Sequence, residues 1–167
     1  MAETRPPKQL ALDTNLVLDL ADGADFAHAF REAFQDFSYA FRLPPTAALE
    51  LHENSLHAPT PRKRQLARIA LSKLRVWGVR TFDLSPIQQA IAERFALKLA
   101  ERRLLPTEEF NDAVILAESS LAEIPLLVTS DGHLLDIDED ALLLAFNEAD
   151  LFPVRPVHPK RLLRALR

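Results

Sequence analysis

The chain has 167 residues, 48% of them hydrophobic, and a formal net charge of −4, as expected for one globular domain rather than a disordered or wholly basic protein. It contains no cysteine, so disulfides, thiolate metal sites and cysteine nucleophiles are excluded. Its three glycines lie far apart, which excludes both glycine-rich phosphate-binding motifs. Without a signal-peptide layout or an apolar run of spanning length, we expect a cytoplasmic protein with no membrane partner.

Short apolar runs alternate with longer helical patterns along the chain. In chain order we predict a strand at 9–12, helices at 15–21 and 24–37, a strand at 39–43, helices at 44–56 and 62–75, a strand at 76–84, helices at 85–103 and 107–122, strands at 124–129 and 152–155, and a helix from 159. Strands separated by helices, without hairpin signals, predict an α/β fold with a parallel sheet and helices on both of its faces.

The domain organisation predicted from these elements is simple. Residues 1–8 form an N-terminal extension, 9–155 a single central domain, and 156–167 a basic C-terminal helix. In the second predicted helix, Phe26, Phe30, Phe34 and Phe37 recur at spacings of four, four and three, which places them on one helix face. We interpret this stripe as core packing. Thr107 is the expected cap of the helix at 107–122.

Two aspartates follow predicted strands directly. Asp13 ends the run QLAL and Asp131 follows LLVTS. In an open α/β sheet, ligands bind outside the carboxyl ends of the strands, so both side chains stand where a site is expected. Each also has a structural interpretation, because Asp13 can cap a helix and Asp131 begins an Asp-Gly turn.

Two further carboxylates interrupt helical segments. Asp112 lies in a helix that is apolar nearly all round, and a buried, unpaired carboxylate is costly unless a cation or hydrogen-bond donor accompanies it. Asn111 is a candidate to orient it. Glu50 interrupts the apolar stretch of the helix after the second strand, and Glu53, three residues on, remains an alternative.

Several carboxylates that converge on one place repel one another and raise each other's pKa. A divalent metal ion removes that penalty. Oxygen ligands, with no cysteine and no paired-histidine motif, suit Mg²⁺ or Mn²⁺ rather than Zn²⁺. Such sites are common where phosphate esters are cleaved.

Four segments of this chain resemble the four signature blocks of PIN-domain ribonucleases, which include the VapC-type toxins of toxin–antitoxin pairs. They are LALDTNLVLDL, PPTAALEL, FNDAVILAESS and IPLLVTSDGHLLDID, in that order. The resemblance implies a PIN-like, Rossmann-like three-layer α/β/α fold for the central domain. It also implies an acidic quartet of Asp13, Glu50, Asp112 and Asp131, with Asn15 and Thr129 holding the first and last carboxylates in place.

The resemblance further implies hydrolysis of an RNA phosphodiester by water. Asp13, Asp112 and Asp131 would bind Mg²⁺ or Mn²⁺ directly, and Glu50 would act through water or on a second ion. The implied partners are an RNA substrate, a small antitoxin protein and a second copy of the chain in a homodimer. Four basic residues are weaker candidates to steer the RNA backbone: Arg62, Lys63, Arg64 and Arg68.

Three other interpretations remain open at this stage. An inactive PIN-like module that binds RNA or protein would have a broken quartet, whereas this one is unbroken. A haloacid-dehalogenase-type phosphatase needs a proton-donating acid where this chain has Asn15. A purely structural α/β domain would need a cation paired with Asp112.

Overall fold

The computed structural model describes residues 7–166, so most of the predicted extension and the last residue of the C-terminal helix lie outside the described residues. The five strands of the described chain are β1 (Gln9–Leu12), β2 (Ala40–Leu43), β3 (Val79–Thr81), β4 (Leu126–Val128) and β5 (Arg155–Val157). Its helices are α1 (Thr14–Ala21), α2 (Asp25–Asp36), α3 (Pro45–His57), α4 (Pro61–Lys73), α5 (Pro86–Glu101), α6 (Phe110–Leu121), α7 (Gly132–Leu135), α8 (Glu139–Glu148) and α9 (Pro159–Ala165).

The strands form one sheet in the order β3-β2-β1-β4-β5, and every neighbouring pair is parallel. Helices flank this sheet in three layers, so the predicted single-domain α/β fold is confirmed. The strand order reverses at β1, which pairs with β2 on one side and with β4 on the other. The carboxyl ends of β1 and β4 therefore border the point where a doubly wound sheet binds its ligands.

The core is built on β1 and α6. Residues 10–12 of β1 are almost completely buried, and so is every residue of α6 from 112 to 120. Helix α6 packs against α5 and α3, and α3 in turn packs against α4. Because α6 is covered on all sides, any charged side chain on it must be satisfied inside the protein.

The phenylalanine stripe of α2 is only partly a core feature. Phe30 and Phe34 are buried as predicted, whereas Phe37 is 61% exposed. The reason is that α2 ends before Phe37, so the helical spacing no longer directs this side chain toward the core. Phe26 is partly buried and packs against the His158 ring.

Other predicted boundaries also need correction. Thr107 opens a short 3₁₀ turn, Thr107–Glu109, and α6 begins after it without a side-chain cap. The last strand lies at Arg155–Val157 rather than at 152–155, because the Arg155 N–H bonds to the carbonyl of Pro125. Helices α7 and α8 were not predicted, although Asp138 caps α8 by accepting a hydrogen bond from the Ala141 N–H.

Candidate metal centre

Two of the predicted site residues lie at the carboxyl ends of adjacent strands. Asp13 follows β1 and caps α1, and Asp131 follows β4 by three residues and caps α7. Both aspartates are therefore helix caps as well as candidate ligands, so their structural and functional interpretations are compatible. Because β1 and β4 are neighbours in the sheet, their carboxyl ends deliver the two side chains to the same place.

The third aspartate arrives from the helix layer. Asp112, in the first turn of α6, brings its carboxylate to the other two. One oxygen from each of Asp13, Asp112 and Asp131 lies within 4.8 Å of the others. The first two side chains are buried and that of Asp131 is half-buried, so the cluster has one side open to solvent.

Asp13 is held by hydrogen bonds to both of its carboxylate oxygens. The Thr14 N–H donates to Oδ1 at 2.8 Å, and the Thr129 hydroxyl donates to Oδ2 at 2.7 Å. The pKa of Asp13 is nevertheless raised to about 7, mainly by burial and in part by the nearby charges of Glu50 and Asp131, against the lowering effect of these donors. The site therefore holds Asp13 in a fixed geometry in which its negative charge is poorly stabilised.

Asp112 is the least satisfied carboxylate of the cluster. It is 8% exposed, and its Oδ2 has no hydrogen-bond partner in the described part of the chain. Burial is the main cause that raises its pKa far above the ordinary range, and the carboxyl groups of Asp131, Asp13 and Glu109 add to the effect. No lysine or arginine among residues 7–166 forms a salt bridge with Asp112. The paired cation that a purely structural role of Asp112 would need is therefore not found in this part of the chain.

Glu50 lies next to this trio rather than inside it. Its Oε2 accepts a 2.9 Å hydrogen bond from the hydroxyl of Thr14, the residue that follows Asp13. Burial raises the pKa of Glu50, while the Thr14 and Asn111 side chains lower it. Glu53 is exposed on the same helix. Of the two glutamates, Glu50 is thus the one in contact with the segment that bears Asp13.

A cleft of about 750 Å³ opens beside Glu50, between the helices on this side of the sheet. Asn15 and Asn111 are exposed and line it, together with Glu53. The expected support of Asp13 by Asn15 is not observed, because Thr14 and Thr129 occupy its two oxygens. Asn111 likewise acts on Glu50, whose pKa it lowers, rather than orienting Asp112.

Three of the four basic candidates for RNA contact are bound within the protein. The Arg62 guanidinium pairs with Asp22 at 2.6 Å. Arg64 donates to the Ala58 carbonyl, just after α3, at 2.7 Å, and Arg68 donates to the Ser55 carbonyl, near the end of α3, at 3.2 Å. Lys63 alone among these four lines the cleft, and its charge lowers the pKa of Glu50. Of the four basic residues, Lys63 is therefore the remaining candidate for contact with the RNA backbone.

Two acidic residues of this region were not predicted from the sequence. Glu109 precedes Asp112 by one helical turn, its charge raises the pKa of Glu50, and His133 lies 3.6 Å from it. Glu118, farther along α6, is completely buried at the floor of the cleft. The sequence signal for Glu118 was its position, because it is a charged residue in a helix that is almost entirely buried.

The donor set fits a hard divalent cation. Three carboxylate oxygens converge, an oxygen of Asp112 has no partner among the described residues, and burial raises the pKa values of both Asp13 and Asp112. A bound ion would satisfy the free oxygen and favour the charged carboxylates. All-oxygen donors of this kind suit hard divalent cations such as Mg²⁺ and Mn²⁺.

Proteins similar to this chain were found by comparison with solved structures. No protein-family model matches the chain, and no curated protein matches it. A chain of VapBC2 from Rickettsia felis, solved bound to a DNA fragment from its promoter, is 14% identical with a TM-score of 0.61, over 90% of this chain and 98% of that one. FitAcB from Neisseria gonorrhoeae is 16% identical with a TM-score of 0.53, over 90% and 97% of the two chains.

FitAB bound to the IR36 DNA fragment gives similar values, with 16% identity, a TM-score of 0.52 and coverage of 90% and 94%. At these identities the likeness establishes the fold. The chain therefore shares the PIN-like three-layer α/β/α fold of these VapBC and FitAB chains. The resemblance to VapC-type PIN domains is confirmed at that level.

Proposed function

We propose that this chain is a metal-dependent endoribonuclease and the toxin of a toxin–antitoxin pair. The observation that carries the proposal is the convergence of Asp13, Asp112 and Asp131 at the sheet's switch point, with the Asp112 Oδ2 left unpaired. The PIN-type fold agrees with it. An inactive binding module has no need to bury two carboxylates that destabilise each other.

Different residues of the site have different roles in the proposed hydrolysis. Asp13, Asp112 and Asp131 would hold Mg²⁺ or Mn²⁺, with Asp13 fixed by Thr14 and Thr129. A bound ion of this kind polarises a phosphoryl oxygen and lowers the pKa of water. Glu50, whose Oε2 accepts the Thr14 hydroxyl, would act through water or on a second ion.

We propose RNA as the substrate of this site. RNA enters the cleft beside Glu50, where Lys63 offers a positive charge to the phosphate backbone. The similar structures are VapBC and FitAB complexes, which supports a small antitoxin as a partner of this chain. We also propose a homodimer and a cytoplasmic location. No helix of the described residues is long and apolar enough to cross a membrane.

Cleavage of end-labelled single-stranded RNA, with and without EDTA, tests the proposal. We expect cleavage in Mg²⁺ or Mn²⁺, loss of cleavage in EDTA, and recovery when Mn²⁺ is restored. An Asp131→Asn variant prepared in parallel controls for contaminating nucleases and should be inactive. Binding of RNA without cleavage, over a panel of RNAs and at both metals, would instead support the inactive module.

A further inference from the structure

Glu118 is a buried carboxylate that the proposed chemistry does not use. It is 0% exposed, and it lies six residues after Asp112 on the same helix. No lysine or arginine forms a salt bridge with it in the described part of the chain. A buried carboxylate without a cation is costly, so its retention indicates a specific task for its contacts.

Those contacts join three helices. Oε1 of Glu118 accepts the Thr46 N–H at 3.0 Å, and Oε2 accepts the Thr46 hydroxyl at 2.9 Å. The side-chain amide of Gln89, on α5, donates to Oε2 at 3.2 Å. Both oxygens are therefore occupied by neutral donors from the two helices that pack against α6.

Thr46 belongs to the first turn of α3, where backbone N–H groups have no partner within the helix. The residue before that helix is Pro44, which makes no side-chain cap. Glu118 supplies the missing acceptor from α6, and its charge lies at the positive end of the α3 dipole. It is a cap contributed by another helix.

The two helices that meet in this contact are those that carry Glu50 and Asp112. Glu50 lies one turn after Thr46, on α3, and Asp112 lies on α6. A shift of the α3 N-terminus relative to α6 would move Glu50 away from Thr14 and from the aspartate trio.

We propose that Glu118 is a positioning residue: by capping α3 from within α6, it holds Glu50 against Thr14 and beside the three aspartates. This inference rests on the proposed metal site, and it assigns Glu118 no contact with the ion or with RNA. Its effect on the site passes through Glu50 alone.

A double-mutant cycle on Mn²⁺ affinity, measured by calorimetry without RNA, tests the inference. Glu118→Gln, which keeps the size but only one acceptor oxygen, should weaken Mn²⁺ binding about tenfold, as loss of a supporting residue typically does. The same change in a Glu50→Gln background should add less than twofold, because the contact then has nothing left to position. Equal effects in both backgrounds would overturn the inference.

Two further variants keep the test decisive. Thr46→Val removes one donor from the opposite side of the contact and should weaken Mn²⁺ binding in the same direction, so a Glu118 variant that fails to fold does not end the test. Ser119→Ala alters the next buried residue of α6, whose hydroxyl bonds only to Ile115 within that helix, and should leave Mn²⁺ affinity unchanged.

The outcomes separate this inference from the proposed function. If the wild-type protein binds no Mn²⁺, the metal site itself is wrong and the inference falls with it. If the wild type binds Mn²⁺ while Glu118→Gln and Thr46→Val bind it equally well, only the positioning role is overturned.

Discussion

The hydroxyl of Thr129 donates a 2.7 Å hydrogen bond to Oδ2 of Asp13, a residue 116 positions earlier in the chain. The same hydroxyl oxygen accepts the N–H of Asp131 at 3.0 Å. A single side chain therefore ties the end of β1 to the turn after β4. It sets the spacing of two of the three aspartates in the cluster.

Thr129→Val should separate these two segments. Valine keeps the β-branched shape but removes the donor to Asp13 and the acceptor for Asp131, so we expect Mn²⁺ affinity and RNA cleavage to fall by about 10- to 100-fold. Thr129→Ser keeps the hydroxyl and should stay within a few-fold of wild type. Equal behaviour of the valine and serine variants would show that the hydroxyl does not support the site.

Mg²⁺ or Mn²⁺ should raise the melting temperature of the protein. A ligand that binds only the folded state adds RT ln(1 + [L]/Kd), or about 2.7 kcal/mol at a concentration one hundred times Kd. Thermal denaturation in EDTA and at increasing metal concentrations measures the shift. Asp131→Asn should reduce it, and an unchanged melting temperature at millimolar metal would contradict the site.

The metal-free protein should lose stability as the pH rises. The pKa of Asp13 is raised by burial from 3.8 to about 7, so its contribution is complete below pH 4 and is lost as the pH rises through 7. At about 1.4 kcal/mol for each pKa unit, the loss is on the order of 4 kcal/mol. Denaturant unfolding in EDTA at pH 5 and pH 8 measures the part of this loss that falls between those two pH values, roughly 2.6 kcal/mol.

The control for this prediction is Asp13→Asn, which should reduce that pH dependence without abolishing it, because the pKa of Asp112 is also raised by burial. Mn²⁺ affinity should change in the opposite direction and strengthen between pH 5 and 8, because the ion requires the deprotonated carboxylates. Identical pH slopes for the wild type and Asp13→Asn would contradict the assignment.

Asp112→Asn should abolish cleavage while leaving the metal-free protein as stable as wild type, or more stable. Asparagine replaces a buried carboxyl group whose Oδ2 has no partner and whose raised pKa requires it to take up a proton on folding at neutral pH, so the folded state loses an unfavourable group. Urea unfolding in EDTA, together with RNA cleavage, checks both halves. Unfolding of the variant would show instead that Asp112 stabilises the domain.

Lys63 and Arg62 are adjacent, equally charged and differently placed. Lys63 lines the cleft, whereas Arg62 pairs with Asp22. We therefore expect Lys63→Ala to raise the KM for RNA several-fold and to reduce its salt dependence, with Arg62→Ala much closer to wild type. Steady-state kinetics at two salt concentrations compare the variants, and equal effects would show that the cleft does not direct RNA binding.

The fold was predictable where local pattern and tertiary packing agree. The apolar run at 9–12 is bounded by polar residues, and β1 occupies those positions. The last strand was misplaced because its position depends on the carbonyls that β4 offers, which a local apolar pattern does not contain. Helix α8 has a cap at Asp138 and buried residues at helical spacing, so the sequence contains a signal for this helix.

The aspartates of the site were predictable because each follows a strand or interrupts an apolar helix. Their supporting residues were harder to predict. Thr129 and Thr14 were near the motifs, but which of several polar neighbours bonds to Asp13 depends on side-chain directions in the folded state. Glu118 acts across three helices, and no sequence spacing relates it to Thr46, 72 positions away.

The pairing of β1 with β4 also bears on translation. Asp13 emerges from the ribosome 118 residues before Asp131, and until β4 is made its partner hydroxyl at Thr129 does not exist. A nascent chain, or one terminated early, therefore contains Asp13 but lacks the segment with Thr129 and Asp131 that completes the cluster. The cluster of three aspartates is thus complete only once nearly four fifths of these residues have been joined.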